Sequence, residues 1–135
     1  MGARSKARKR ALDVLYAADL RGESATEALD RVIAAGDGPP NDYTLTLVRG
    51  VAAQVTRIDE LLGEFSTGWS LDRMPAVDRN VLRLGVWELL WADDVPDTVA
   101  VTEAMALVQD LSTDESPTFV NGVLGAIQRA HPSVT

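Results

Sequence analysis

Residues 76–91 read AVDRNVLRLGVWELLW, and their reading decides the fold. Apolar side chains recur at helical spacing on several faces, not along one stripe, so the segment must be covered on several sides. It is expected to be the central, most buried helix of a bundle. Pro75, just in front, can serve as its first helical residue, where a missing amide removes no helical bond. Glu88 is the discordant residue in this run, since a carboxylate on so apolar a helix needs a partner. Arg49 or Arg83 could supply one within the chain, and a basic protein could supply one across an interface.

Working outward, the acidic DDVPD with Pro96 restarts the chain, and a helix is expected over about 98–111 with Val101, Ala104, Met105, Val108 and Leu111 in register. Ser116-Pro117 reads as a cap followed by proline at the first helical position, opening a last helix to about Ala130 that carries Phe119, Val120, Val123, Leu124 and Ile127, with His131-Pro132 as its end. Upstream, residues 66–74 form a connector with one helical turn. Before it, Asn41 or Asp42 can cap a long helix through Phe65, with Leu45, Val48, Ala52, Val55, Ile58 and Leu62 facing inward. Residues 36–41, GDGPPN, are the clearest loop, and SATE at 24–27 is a capping-box pattern opening a helix that ends near Ala35. The first helix spans about 5–20, with Ala7, Ala11, Val14, Leu15 and Ala18 on one face and Gly22 beyond its end. Gly50, Gly85 and Gly122 are expected where helices cross closely, and Asn121 and Glu103 as structural polar residues. No segment alternates like a strand. The fold class is all-α, one compact domain over 1–135 with helical halves at about 1–66 and 75–131.

Charge divides the chain unevenly. Arg4, Lys6, Arg8, Lys9 and Arg10 fall in the first ten residues with no acid among them, leaving eight cations against twenty acids in the rest of a chain of net charge −7. Arg4 with Arg8 and Lys6 with Arg10 stand at i, i+4, in two short rows. Positive charge at a helix N-terminus opposes the helix dipole, a cost that favours a use for it. An acidic body repels nucleic acid, so any phosphate contact should be confined to this basic end. Asp13 and Asp19 break up the stretch that follows, which therefore does not read as a signal peptide.

The inventory of reactive groups points away from catalysis. There is no cysteine, which suits a reducing cytoplasm, and one histidine, His131, so neither a multi-histidine metal site nor a catalytic triad can be assembled. The glycines of GDGPP lack the lysine and hydroxyl residue of a phosphate-binding loop. The carboxylate pairs Asp59-Glu60, Asp93-Asp94 and Asp114-Glu115 are accounted for as solvated or dipole-complementing charges. No enzyme, metal or cofactor is expected.

Four segments in this order, ARSKARKRALDVLY from residue 3, VDRNVLRLGVWELL from 77, VPDTVAVTEAMALV from 95 and SPTFVNGVLGAI from 116, resemble the NusB family of transcription antitermination factors across nearly the whole chain. The resemblance implies a bundle of about seven helices in two halves. It implies binding of boxA-type single-stranded RNA in ribosomal RNA operons together with the small-subunit ribosomal protein NusE, promoting read-through by RNA polymerase. It places RNA contacts on Arg4, Lys6 and Arg8, with Lys9 and Arg10 adding charge, and sets Phe119 beside the RNA, where an aromatic ring can stack on an unpaired base. Tyr16 and Glu88 fall where the family docks the ribosomal protein, for which an acidic body is a suitable match. Pro117 in the SPT flank of Phe119 offers no cation, so RNA affinity would lean on the first helix.

Two other readings stay open. One is a stand-alone RNA-binding module related to the N-terminal domain of ribosomal RNA cytosine methyltransferases, less favoured because the chain ends at 135 without a cofactor-binding segment. The other is a protein-interaction scaffold with a solubilising basic end. The tryptophans at 69, 87 and 91 also leave room for a homodimer.

Overall fold

The computed structural model describes residues 2–36 and 41–134, with the side chains of 132–134 excepted. Among the described residues it is all-helical: α1 (Ala3–Arg21), α2 (Ala25–Ala34), α3 (Asp42–Phe65), a 3-10 turn (Leu71–Arg73), α4 (Ala76–Trp91), α5 (Asp97–Leu111) and α6 (Ser116–Val134). These are six α-helices and one short turn where about seven helices were expected. Of the expected loop at 36–41, residues 37–40 lie outside the described residues.

Helix ends follow local chemistry. Gly22 closes α1 at φ 69°, letting the Glu23 amide reach back to the Ala18 carbonyl at 3.0 Å. Ser24 and Glu27 form the reciprocal capping box of α2, and Asn41, not Asp42, caps α3 by accepting the Tyr43 amide at 2.7 Å. Pro75 stands one position before the first residue of α4. The last helix runs past Pro132 to Val134, beyond its expected end.

The helix α4 is buried over most of its surface, with only the stripe of Arg79, Arg83, Trp87 and Trp91 and its first turn half-buried; α1, α3, α5 and α6 all pack on it, and one apolar cluster runs through the molecule around it. α1, α2 and α3 also pack on one another, as do α4, α5 and α6. Two glycines permit the closest crossings on α4. A Cβ on Gly50 of α3 would lie 2.2 Å from the Trp87 ring, and one on Gly85 would lie 2.9 Å from Leu124. Gly122 differs from the expectation, with nothing within 4 Å of where a Cβ would stand.

The buried stripe of α3 is Thr44, Leu47, Val48, Val51, Ile58, Leu61 and Leu62, so Leu45, Ala52 and Val55 are only partly covered. The stripe turns inward at Thr44 because its hydroxyl donates to the Ala7 carbonyl at 3.2 Å, which lets a polar side chain face α1. Leu111 is 40% exposed where an inward position was expected, and Asn121 is likewise exposed.

Candidate nucleic-acid interface

α1 and α4 run antiparallel, which brings the basic start of α1 beside the last turns of α4 and the start of α5. There the five cations part company. Arg8 is buried, 4% exposed, because it falls in phase with Ala11, Leu12 and Leu15 on the face that packs against the bundle. Its Nε and Nη2 donate to the two carboxylate oxygens of Glu88 at 2.8 and 2.9 Å, and its Nη1 donates to Glu103 at 3.1 Å. The Tyr43 hydroxyl donates to the same Glu88 carboxylate, and Ser5 donates to Glu103 at 2.6 Å. Burial pulls the Arg8 pKa down, but the hydrogen bonds and charge of Glu88 outweigh it, and the net shift is upward. Burial and the bond to Glu88 both push the Tyr43 hydroxyl up, so it stays protonated.

The expected surface row of Arg4 and Arg8 is thus interrupted: Arg8 is an internal tie between α1, α4 and α5. Glu88 is equally buried, and its partner is Arg8, not Arg49 or Arg83. Arg49 is exposed, and Arg83 belongs to a second ion-pair group farther along the bundle.

Arg4, Lys6 and Arg10 are exposed. Arg4 lies over the Tyr43 ring, 4.3 Å from its centroid, and donates to the exposed Asp94 at 2.7 Å. That bond holds Arg4 above its ordinary pKa and Asp94 below the ordinary carboxylate range. Lys6 and Arg10 line a shallow concavity of about 430 Å³ with Ala3, Ala7 and Asn41, and neither is drawn into an ion pair among the described residues. Asn41 brings the positive end of α3 to the same rim, which suits an anion. Lys9 is partly covered and donates to Asp13 at 2.7 Å.

Phe119 is not brought together with these cations. The turn before α6 is tied to the start of α4, where Ser112 donates to the buried Asp78, whereas Glu88 lies ten residues farther along, about 15 Å at the helical rise. The Phe119 ring is half-buried and meets Trp69 edge-on, with centroids 4.9 Å apart. Together with Thr67, Gly68 and Glu115 the two rings line an open recess. Tyr16 is 37% exposed on α1, and one turn on Leu20 is 62% exposed, so the two form an uncovered apolar strip.

Residues 5–129 match the NusB family. The chain belongs to the NusB family. It is 75% identical to the transcription antitermination protein NusB of Nocardioides sp. over 134 residues, 99% of each chain, and 65% identical to that of Saccharopolyspora erythraea over 94% of this chain and 87% of the relative. Its fold is similar to NusB of T. maritima, with a TM-score of 0.84 at 31% identity, covering 96% of this chain and 93% of the other. It is also similar to a chain in a structure of antitermination factors NusB and NusE in complex with dsRNA, with a TM-score of 0.81 at 33% identity over 94% of this chain and 96% of that one. Among the described residues of this NusB-family chain no group of histidine, cysteine and carboxylate side chains could hold a metal ion, and no helix is long and apolar enough to cross a membrane.

Tyr43, Asp94 and Leu20 were missed in the sequence. Leu20 could have been found, one turn after Tyr16 on the same helix. Tyr43 and Asp94 could not, because they meet Arg4 across 39 and 90 residues of chain.

Proposed function

We propose that the protein is a transcription antitermination factor that binds boxA-type single-stranded RNA together with the ribosomal protein NusE, within the antitermination complex of RNA polymerase in ribosomal RNA operons. What supports this most is that a chain matched to the NusB family along nearly its full length sets three exposed cations, Arg4, Lys6 and Arg10, on the first turns of α1, in a stretch without acids on an otherwise acidic body. The RNA edge consists of Arg4, Lys6 and Arg10, with Lys9 beside them. Arg8 acts from beneath by fixing α1, and Glu88 acts through Arg8. NusE docks on the apolar strip of Tyr16 and Leu20, with the acidic surface attracting a basic partner. The protein works in the cytoplasm by binding alone, with no covalent step, cofactor, small-molecule substrate or membrane. Phe119 stacks on a base toward the other end of the bundle, so a strand reaching both sites crosses the length of about ten residues of α4, about 15 Å.

The test is binding of a boxA-type RNA with and without NusE across a salt series. Three or four phosphate contacts give a slope of log affinity against log salt of about −2 to −3. Removing Lys6 (K6A) should flatten it by about 0.7. No binding in either condition, or an unchanged slope in a K6A/R10A variant, overturns the reading. The uncovered Tyr16 and Leu20 could instead seat a second copy of the chain, so oligomeric state is measured in the same samples.

A further inference from the structure

We propose that Tyr43 is a positioning residue of the RNA site, holding the Arg4 guanidinium ready to receive a phosphate while Asp94 occupies the phosphate's place. This rests on the reading of α1 as the RNA edge. Tyr43 is itself fixed from several directions. Its amide is held by the cap Asn41, and its hydroxyl by Glu88, whose carboxylate is locked by the bidentate Arg8. Arg4 and Arg8 both lie against its ring, at 4.3 and 5.6 Å from the centroid. The chain of support runs from the buried Arg8–Glu88 pair, through the Tyr43 hydroxyl, to the ring face on which an exposed arginine rests.

An arginine gripping a phosphate gives up much of its rotamer freedom. Stacking on Tyr43 restricts Arg4 before RNA arrives, so less freedom is lost on binding. A guanidinium has five N–H donors, of which one meets Asp94. The Asp94 carboxylate is a planar anion at the distance a phosphate oxygen would take. Both partners are about half exposed or more, so the bond is weak and exchangeable. Phosphate displaces Asp94, while the ring contact stays.

The experiment measures affinity for a labelled boxA-type RNA oligonucleotide in the presence of NusE, for the wild type, R4A, R4K, Y43L, Y43F and the R4A/Y43L double variant, with thermal unfolding as the check of folding. R4A should weaken binding. Y43L should weaken it about two- to fivefold, the range of an exposed cation–aromatic contact, and should have no further effect in the R4A background. Y43F, which keeps the ring, should recover most of the Y43L loss. R4K keeps the charge but not the planar stack, and its exposed position spares the fold, so its weakening tests the same contact even if Y43L unfolds. Should R4A bind as well as the wild type, Arg4 is no RNA contact and the positioning role is overturned, while the reading of the edge itself stands or falls with the K6A/R10A variant. Should R4A weaken binding while Y43L and R4K do not, or while Y43L acts equally with and without Arg4, the positioning role is overturned and the RNA reading stands.

Discussion

The two ends of the α1–α4 helix pair carry ion pairs of opposite arrangement, buried at one end and half-buried at the other. At the start of α1, the cation is on α1 and the anion on α4, as Arg8 meets Glu88. At its end the order is reversed: Asp19 on α1 accepts from Arg79 and Asn80 on α4 at 2.7 and 2.9 Å, and Arg83 of α4 joins Asp19 to Asp59 of α3. Each arrangement also sets α1's charge against its own helix dipole, cation at the N-terminal end and anion at the C-terminal end. Together the two ties admit only the antiparallel register: sliding or inverting α1 would put like charges together or leave a buried ion alone. The ends differ in what lies above them. The Asp19 group is half-buried, and Asp19, Asn80 and Arg83 border a pocket beside the start of α2, whereas the Arg8 group carries Tyr43 and an exposed arginine to the surface. One end holds the bundle, and the other also carries the proposed RNA edge.

The sharpest way to break this comparison is to remove Arg8. In R8A, Glu88 keeps the Tyr43 hydroxyl but loses its counter-ion in a site 2% exposed. Leaving one member of a buried pair uncompensated costs about 3–5 kcal/mol. Urea unfolding should show a loss of that size. A double R8M/E88L variant, which removes both charges, should recover much of it. A loss under 1 kcal/mol in R8A would mean that the head is not held by this pair. RNA binding by R8A must then be compared at temperatures where both proteins are folded, since its effect on the RNA edge passes through α1.

What could be read in the sequence was what is local. The bounds of α4, the capping box of Ser24 and Glu27, and the Gly22 stop of α1 depend on neighbours within four residues, and they stand where the pattern put them. The membership of Arg8 in the buried face was also legible, through its phase with Ala11, Leu12 and Leu15, but a run of five cations reads as one solvated patch. The partner of Glu88 was not legible. It lies 80 residues away, and two arginines nearer in sequence were better placed by local criteria. Thr44 shows the same limit, since only contact with the Ala7 carbonyl makes a threonine an inward residue. Spacing could assign Phe119 to the start of the last helix, but only the packing of α4 separates it from the cations.

A smaller effect is expected at the other end. In D19N the side chain keeps a carbonyl acceptor for Arg79 but loses the charge that faces Arg79 and Arg83, and Arg83 retains Asp59. Hydrogen bonds to charged groups contribute about 1.5–3 kcal/mol, so the loss at neutral pH should lie in that range and below that of R8A. RNA affinity should be unchanged, because no exposed cation rests on this group. If D19N weakened RNA binding as R8A does, the functional distinction between the two ends would be lost.

Acid sharpens the contrast further. Burial pushes the Asp19 carboxyl up, but the hydrogen bonds from Arg79 and Asn80 and the charges of Arg79 and Arg83 prevail and hold it below the ordinary carboxylate range. A carboxylate whose pKa is lower in the folded chain than the ~3.9 of an unfolded one contributes its full stabilisation above that unfolded value. The contribution is lost as pH falls through the folded value, where the native carboxylate protonates. Arg8 differs in kind: its pKa is raised in the fold by the carboxylate of Glu88, so the guanidinium itself stays charged throughout this range. The stability gap between the wild type and D19N, measured by urea unfolding at pH 7, 5, 4 and 3, should therefore stay constant from 7 to 5. It should begin to narrow near 4, where the unfolded carboxylate takes up its proton before the folded one does. A gap that stayed constant to pH 3, or widened, would mean that the charge of Asp19 is not what the two arginines hold.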